Sequence, residues 1–466
     1  MDWMKWNCTP GVRIKSPIFL NFLRHLDIMS LTGFIRELLN DKFKVNLITP
    51  PRRFGKTLAM SMLAEFFDIR KDSSSVFEGL EIVRNHELCS RWMNQYPVLF
   101  LSLKSVEGLD FEGAYGMLQR AVSDLCISYS YLLEDESLDE ADRDTFRKLK
   151  TCQGNPSEVK SSLYILTRML HKHYGKKIIL LIDEYDVPLA KANEGGYYEK
   201  MLDVMRSLMG ICLKTNEFLE FAVITGCLKI EKESIFTGTN NFVSNTISSE
   251  RYSKYFGFTE EEVQKLLADT GFSGHKEEIS RWYDGYRFGS VGIYCPWDVL
   301  NHVAALQISP DVKPGNYWRN TSHNGIIRSF IDRTDLFVKD KFEILLAGGC
   351  IQETICEELT YDILHSSEEN FWSVLYLTGY LTQADLNREE GKTNLKIPNE
   401  EIRAIFADTV AVWFTDTMKR SDRQELFRAL WVGEEGKASE LLWNPIASMG
   451  LEDRILLSKT ERNAGR

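Results

Sequence analysis

One stretch of the chain, Pro50–Thr57, constrains the fold more than any other. It reads Pro-Pro-Arg-Arg-Phe-Gly-Lys-Thr, follows the apolar run Val45–Thr49 and precedes a helical pattern over Leu58–Phe67. A strand, a turn ending in Gly-Lys-Thr and a helix form the architecture of a phosphate-binding loop, in which N–H groups at the helix start face the phosphates. The sequence therefore predicts a sheet strand that leads directly into an anion site.

The loop also assigns chemistry to single side chains. Lys56 is predicted to reach the β- and γ-phosphate oxygens, and the Thr57 hydroxyl to ligate Mg²⁺. The usual pattern has Gly at position 50, where this chain has Pro50, so a plain turn before an amphipathic helix is the alternative interpretation. For Arg52 and Arg53, packing or ion pairing is favoured over nucleotide contact. The segment predicted to line the nucleotide comprises Arg53, Phe54, Gly55, Lys56, Thr57 and Leu58.

Composition excludes several classes of protein. The chain has 466 residues, enough for two to four domains, with 44% hydrophobic and 26% charged residues, as in ordinary globular proteins. A net charge of −11 argues against a surface that binds nucleic acid throughout, although a local basic patch stays open. No apolar run reaches the length of a membrane span, and the N-terminus does not resemble a signal peptide. None of the nine cysteines forms C-x-x-C, so we expect free thiols and a cytoplasmic location.

A second signature lies at the end of a later apolar run, Lys177–Glu184. The run is apolar on both faces, which is typical of a central parallel strand. Asp183 is predicted to hold the Mg²⁺ shell, and Glu184 to orient or deprotonate the attacking water. An Asp-Glu pair after a strand is also common at protein surfaces, but an upstream Gly-Lys-Thr favours the functional interpretation.

A further strand, Phe218–Gly226, ends in the polar residue Thr225. In an ATPase with an additional strand between the two signatures, this position carries a sensor of the γ-phosphate, so Thr225 joins Lys56 and Glu184 as a catalytic candidate. A strand-terminal Thr in a turn with Gly226 is the equally weighted alternative. Alternating strands and helices predict a parallel sheet with helices on both faces, whose ligands bind beyond the carboxyl ends of the strands.

Several segments together resemble the bacterial AAA-ATPase-like family. They are Thr49–Thr57, Leu181–Asp186, Thr225–Ile230, Glu233–Gly238 and Trp282–Tyr286. The resemblance implies an α/β fold, a three-layer P-loop NTPase with a parallel sheet, followed by a mostly helical lid or winged-helix-like region. It implies ATP and Mg²⁺ as ligands. We expect a poorly defined segment over 1–32, the ATPase domain over 33–257, the lid and C-terminal region over 258–430, and a truncated tail over 431–466.

This chain departs from the family pattern in three places. Leu26–Thr32 differs from the usual Tyr-x-Asp-Lys-Thr, and Pro50 replaces a residue that is commonly Arg. The family usually continues into a PD-(D/E)XK nuclease-like domain, whereas the only late Glu-x-Lys here, Glu435–Lys437, resembles a surface run. We therefore expect the nuclease-like domain to be missing or cut short. Lys229 is a candidate for a cationic sensor. Arg206 and Arg251 are candidates for an arginine finger, and a solvated or ion-paired arginine is the favoured alternative for each of the two.

Three functions remain in competition at this point. The leading one is Mg²⁺-dependent ATP hydrolysis coupled to movement of the lid. The second is a nucleotide-dependent switch or scaffold without significant hydrolysis, which Pro50 favours slightly because proline removes an N–H from the loop. The third, a DNA-processing protein of the mobile-element or defence type, rests on family association and is disfavoured by the net charge. A protein partner or a homo-oligomer is compatible with all three, and no membrane contact is expected.

Overall fold

The computed structural model describes residues 29–41, 43–214, 216–229, 235–236, 241–318, 337–361, 367–385 and 391–408. Its centre is a five-stranded sheet with the order β2-β3-β4-β1-β5. Every neighbouring pair in this sheet is parallel, so the expected α/β class is confirmed. The strands of this sheet are β1 (Val45–Thr49), β2 (Val98–Ser102), β3 (Ile178–Asp183), β4 (Leu219–Thr225) and β5 (Phe242–Thr246).

Helices connect the strands and continue after them. In the first half they are α1 (Met29–Asn40), α2 (Lys56–Phe67), α3 (Ser74–Phe77), α4 (His86–Trp92), α5 (Phe111–Ser128), α6 (Glu140–Lys150), α7 (Pro156–Lys160), α8 (Ser162–Tyr174), α9 (Val187–Gly195) and α10 (Tyr198–Leu213). In the second half they are α11 (Glu260–Thr270), α12 (Lys276–Tyr283), α13 (Pro296–Ile308), α14 (Phe337–Leu346) and α15 (Glu368–Leu377), with residues 400–408 also helical. The capping box expected at Thr259 is present, since its side chain accepts from Glu262 N.

The core follows the two central strands. All six residues of β3 are buried, and Ile178–Ile182 have no exposed surface, as expected of a strand covered on both faces. Strand β4 shows the same pattern apart from Glu220 near its amino end. Burial of these branched aliphatic side chains supplies the main hydrophobic stabilisation of the sheet.

The strand order places β4 between the two strands that carry the sequence signatures. Ile48 of β1 is in register with Thr225 of β4, and Ile182 of β3 is in register with Ile224. Because all strands run in one direction, their carboxyl ends meet at one edge of the sheet. The turn after β1, the acidic pair after β3 and the end of β4 are therefore neighbours.

Shorter sheets follow in the second half of the chain. Strands β6 (Tyr286–Phe288) and β7 (Val291–Ile293) form an antiparallel hairpin, and β8 (Ile351–Thr354), β9 (Thr382–Gln383) and β10 (Lys392–Lys396) form a sheet in the order β8-β10-β9. These strands were not anticipated in a region expected to be mostly helical.

Residues up to Gly315 together with Gln352–Asn399 make one compact unit. Asn316–Ile351 and the residues from Glu400 onward make a second. The four-part division proposed from the sequence stays a prediction, and Glu435–Lys437 and the tail over 431–466 lie outside the described residues. Within the described parts of the chain, no helix is long and apolar enough to cross a bilayer.

Candidate functional site

The loop after β1 ends in a backbone conformation that needs glycine. Gly55 has φ 82° and stands immediately before α2, and a Cβ built there would find no atom within 4 Å. No side chain caps this helix, and the first intrahelical bond is donated by Ala59 N to Gly55 O. The N–H groups of Lys56, Thr57 and Leu58 thus precede the helical ladder and have no capping side chain, which is the arrangement that binds anions.

Lys56 turns its side chain back over the loop. Its ammonium donates to the carbonyl oxygens of Pro50 at 2.8 Å and Pro51 at 2.9 Å, and lies 3.4 Å from Cys227 Sγ. The residue is 4% exposed, so this cation is held in a nearly dry environment. An ammonium bonded to uncharged carbonyls can exchange them for phosphate oxygens, which are stronger, charged acceptors.

The carboxylate of Asp183 joins both hydroxyls that the sequence singled out. Thr57 Oγ1 donates to Asp183 Oδ2 at 2.8 Å, and Thr225 Oγ1 donates to Asp183 Oδ1 at 2.5 Å. Asp183 has no exposed surface, and Thr225 is 1% exposed. One buried carboxylate therefore ties the end of β3 to the start of α2 and to the end of β4.

Glu184 follows Asp183 with φ 55°, a left-handed conformation that side-chain-bearing residues adopt infrequently. Its main-chain N–H donates to Thr225 Oγ1 at 3.4 Å. Burial raises the pKa of the Glu184 carboxyl above its ordinary value, and the charge of Lys56 opposes that rise. A carboxyl with a raised pKa beside a cation suits a group that accepts a proton near neutral pH.

Arg53 and Phe54 contact the second half of the chain. The ring of Phe54 is fully buried, with its centroid 4.8 Å from those of Tyr286 and Phe288 in the β6–β7 hairpin. Arg53 has φ 72°, and its Nη1 lies 4.0 Å from the buried carboxylate of Asp298 in α13. The Phe54–Tyr286 contact thus joins the Arg-Arg-Phe-Gly-Lys-Thr loop to the end of the Trp-Tyr-Asp-Gly-Tyr motif.

Two of the three cationic candidates, Arg251 and Lys229, have ionic partners of their own. Arg251 Nη1 is 3.5 Å from Asp41 Oδ2, and its guanidinium lies over the Phe43 ring at 4.9 Å. Lys229 Nζ is 3.6 Å from Glu358 Oε1.

Sequence reasoning missed a buried carboxylate at the site, Asp186. Its Oδ2 accepts from the N–H groups of Cys227 at 2.9 Å and Leu228 at 3.1 Å, and from the Tyr361 hydroxyl at 3.1 Å. The feature that could have revealed it is the second Asp of Ile-Asp-Glu-Tyr-Asp, three positions after Asp183. The sequence analysis assigned no role to this second Asp. No local pattern marked Tyr361, because it lies 175 positions away from Asp186.

The donor set fits ATP with Mg²⁺. Uncapped N–H groups and Lys56 suit phosphate oxygens, while the Thr57 hydroxyl and the Asp183 carboxylate are oxygen donors of the kind that Mg²⁺ accepts. Over the described residues, no group of three or more His, Cys, Asp and Glu could hold a metal alone. Mg²⁺ is usually bound by one or two protein groups together with substrate phosphates and water.

Comparison with known proteins agrees with these observations. Residues 29–236 match a family described as "Predicted AAA-ATPase", which confirms the resemblance inferred from the motifs. That range includes the loop, the acidic pair after β3 and the end of β4. The family is defined by prediction, and it associates this part of the chain with nucleotide binding and ATPase activity.

One curated relative is similar over a longer range. It is described as "Uncharacterized protein in vnfD 5'region" from Azotobacter chroococcum mcd 1, with 24% identity over 376 residues. The alignment covers 80% of this chain and 64% of the relative, so the relative extends beyond the shared part.

Proposed function

We propose that this protein binds ATP with Mg²⁺ and hydrolyses it. The observation that carries the proposal is the convergence of the Thr57 and Thr225 hydroxyls on the Asp183 carboxylate, next to an uncapped helix start. Two strands and one helix contribute to this cluster, each through a residue expected from its own sequence pattern. A turn that merely precedes an amphipathic helix would not need buried polar groups from two neighbouring strands.

Each residue has a distinct role in the proposed reaction. The N–H groups of Lys56, Thr57 and Leu58 and the Lys56 ammonium hold the phosphates and stabilise charge that develops on them. Glu184 orients the attacking water and accepts its proton, and Thr225 senses the γ-phosphate from the end of β4. Bound Mg²⁺, held beside Thr57 and Asp183, would neutralise charge on the phosphates.

The lid would respond to the nucleotide through the loop itself. Phe54 is adjacent to Gly55 and packs between the two aromatic rings of the β6–β7 hairpin. Phosphates that draw Lys56 away from the Pro50 and Pro51 carbonyls would shift the loop and, with it, the ring of Phe54. We propose that this contact couples the state of the nucleotide to the second half of the chain.

Two substitutions test the proposal. Lys56→Ala should weaken ATP binding by about 100-fold, the equivalent of one strong charge-assisted contact. Glu184→Gln should preserve binding and lower single-turnover hydrolysis by about 10²–10⁴-fold, the usual contribution of a general base. Isothermal titration and a single-turnover phosphate-release assay measure the two effects.

Matched controls separate local from general effects. Lys71→Ala removes a lysine paired with Glu65 beyond the far end of α2, and Glu220→Gln makes the same change as Glu184→Gln near the amino end of β4. Both controls should behave as wild type. Hydrolysis at the wild-type rate in both test variants would exclude the assignment, whereas tight binding without turnover in the wild type would favour the switch.

A further inference from the structure

A short segment far along the chain reaches the edge of the sheet where the site lies. Residues 356–361, which we call the strap, are tied at their start by Cys356 N, which donates to Ser373 Oγ at 2.9 Å. Thr246 Oγ1, at the end of β5, donates to Glu357 Oε2 at 2.8 Å. The strap ends in buried residues, with Leu359 fully buried and Tyr361 8% exposed. It is therefore fixed to the carboxyl edge of the sheet.

At its end the strap meets Asp186. The Tyr361 hydroxyl donates to Asp186 Oδ2 at 3.1 Å, and Asp186 is 2% exposed. Burial raises the pKa of Tyr361 well above its ordinary value, so the hydroxyl keeps its proton and remains a donor at every pH of interest. A buried carboxylate depends strongly on such donors, because each one replaces hydration that was lost on folding.

The same carboxylate oxygen holds the turn that follows β4. Cys227 N and Leu228 N both donate to Asp186 Oδ2. The turn is closely packed, since a Cβ at Gly226 would lie 2.5 Å from Tyr185 Cε1 and 2.9 Å from Asp186 Oδ1. Asp186 thus holds the turn in place together with the Tyr185 hydroxyl, which donates to Leu228 O at 2.7 Å.

The turn carries two groups that touch the proposed nucleotide site. Thr225 directly precedes it and donates to Asp183, and Cys227 Sγ lies 3.4 Å from the Lys56 ammonium. Arg52 also lies near Cys227, Tyr361 and Asp186. A displacement of this turn would therefore move both the Thr225 hydroxyl and the Cys227 thiol that contacts the Lys56 ammonium.

We propose that Tyr361 is a positioning residue of the nucleotide site, acting through Asp186 on the turn after β4. The expected effect of Tyr361 on kcat rests on the proposed ATP hydrolysis. Its effect on the position of the turn does not. Tyr361 fixes the Asp186 carboxylate, Asp186 fixes the N–H groups of Cys227 and Leu228, and the turn fixes Thr225 against Asp183. The strap, which lies outside the matched family region, is thereby part of the proposed nucleotide site.

The test is Tyr361→Phe, which removes one hydroxyl and retains the ring. Its matched control is Tyr376→Phe, the same change at a buried tyrosine of α15 whose hydroxyl lies 3.2 Å from Ser248 Oγ. In the nucleotide-free full-length chain, hydrogen exchange at the amides of Cys227 and Leu228 should be faster in Tyr361→Phe and unchanged in Tyr376→Phe.

Kinetics provide the second readout. Tyr361→Phe should lower kcat about tenfold, the factor that corresponds to one hydrogen bond to a charged group, while the Kd for ATP stays within about twofold. Tyr376→Phe should retain the wild-type kcat. A role confined to general stability predicts equal losses in the two variants.

The outcomes are distinguishable. Unchanged exchange in Tyr361→Phe would overturn the inference whatever happens to ATP, and faster exchange with an unchanged kcat would overturn its catalytic part. Equal losses of kcat in both variants would overturn it as well. If the wild type does not hydrolyse ATP, the proposed function fails, and the exchange comparison still decides whether Tyr361 positions the turn.

Discussion

Glu184 combines a left-handed backbone conformation with a carboxyl whose pKa is raised. Its backbone has φ 55°, a left-handed conformation that costs on the order of 1 kcal/mol or more for a residue with a side chain. Its half-buried carboxyl has a pKa raised by desolvation and further by the charges of Asp183 and Asp186, while the charge of Lys56 lowers that pKa. Such local costs persist where the surrounding structure enforces them, and they are concentrated at functional sites.

The raised pKa of Glu184 gives a pH dependence with a definite sign. Above that pKa the carboxylate can accept a proton from water, and below it the group is already protonated. We therefore expect kcat/KM for ATP to fall as the pH drops through a pKa above the ordinary 4.5. Steady-state rates measured below pH 7, with folding followed by circular dichroism, give this profile.

Glu184→Gln is the control for that profile. Its residual activity should lack the acidic limb, because glutamine does not titrate. An identical limb in the variant would assign the titration to another group, and a flat wild-type profile down to pH 4.5 would exclude a raised pKa for a catalytic Glu184.

At the level of residues, the sequence predicted the part of the site that local patterns encode. Thr57, Asp183 and Thr225 each stand at the end or start of an element with clear periodicity, and they meet in the structure. Asp186 and Tyr361 could not be predicted in the same way. Their contact depends on how a distant segment returns to the sheet, and no spacing rule describes a separation of 175 positions.

At the level of elements, the aromatic contact between the loop and the β6–β7 hairpin has energetic and functional consequences. Phe54→Ala should lower the free energy of unfolding by about 3–5 kcal/mol, because it leaves a cavity among Tyr286 and Phe288. It should also weaken ATP binding, since the loop loses its support. Denaturant unfolding and titration with ATP measure the two changes.

Phe77→Ala is the matched control for this prediction. Phe77 is 1% exposed and packs edge-on against Phe66, at 5.3 Å between ring centroids. Its truncation should destabilise the chain by a comparable amount and leave ATP affinity close to that of the wild type. Equal loss of affinity in the two variants would remove the special role of the Phe54 contact.

Strand β5 shows why some elements escape sequence analysis. Phe242–Thr246 reads Phe-Val-Ser-Asn-Thr, and only its last two residues are buried. The segment lacks the apolar run that marks β3, and its strand character comes from parallel pairing with β1 over five positions. Such pairing is a non-local property, so propensity and periodicity alone give a weak signal. The small strands β8–β10 share this limitation.

At the level of the whole molecule, the proposed coupling predicts which elements change their hydrogen exchange when ATP binds. Mg²⁺-ATP should slow hydrogen exchange at the start of α2 and in the β6–β7 hairpin, because the loop connects them through Phe54. Helices α5 and α6 should serve as an internal reference. Strand β2, against which α5 packs, is three strands away from β1. Exchange mass spectrometry with and without Mg²⁺-ATP measures these changes.

Lys56→Ala provides the control for that experiment, since its weaker ATP binding should remove most of both effects at an ATP concentration near the wild-type Kd. Slower exchange that is confined to α2 in the wild type would contradict coupling to the hairpin. Equal slowing in α5 and α6 would indicate general stabilisation by a bound ligand instead.

The distance along the chain between Asp186 and Tyr361 also bears on how the protein is made. A ribosome adds about 5–20 residues per second, so the 175 positions between them correspond to roughly 9–35 s of synthesis. Throughout that interval the nascent chain contains the loop and the acidic pair, and the end of β4 is added within it, but the hydroxyl that completes the environment of Asp186 comes only at its close. The environment of Asp186 is thus completed late in translation, and a chain released before residue 361 would carry the recognisable motifs without the Tyr361 hydroxyl.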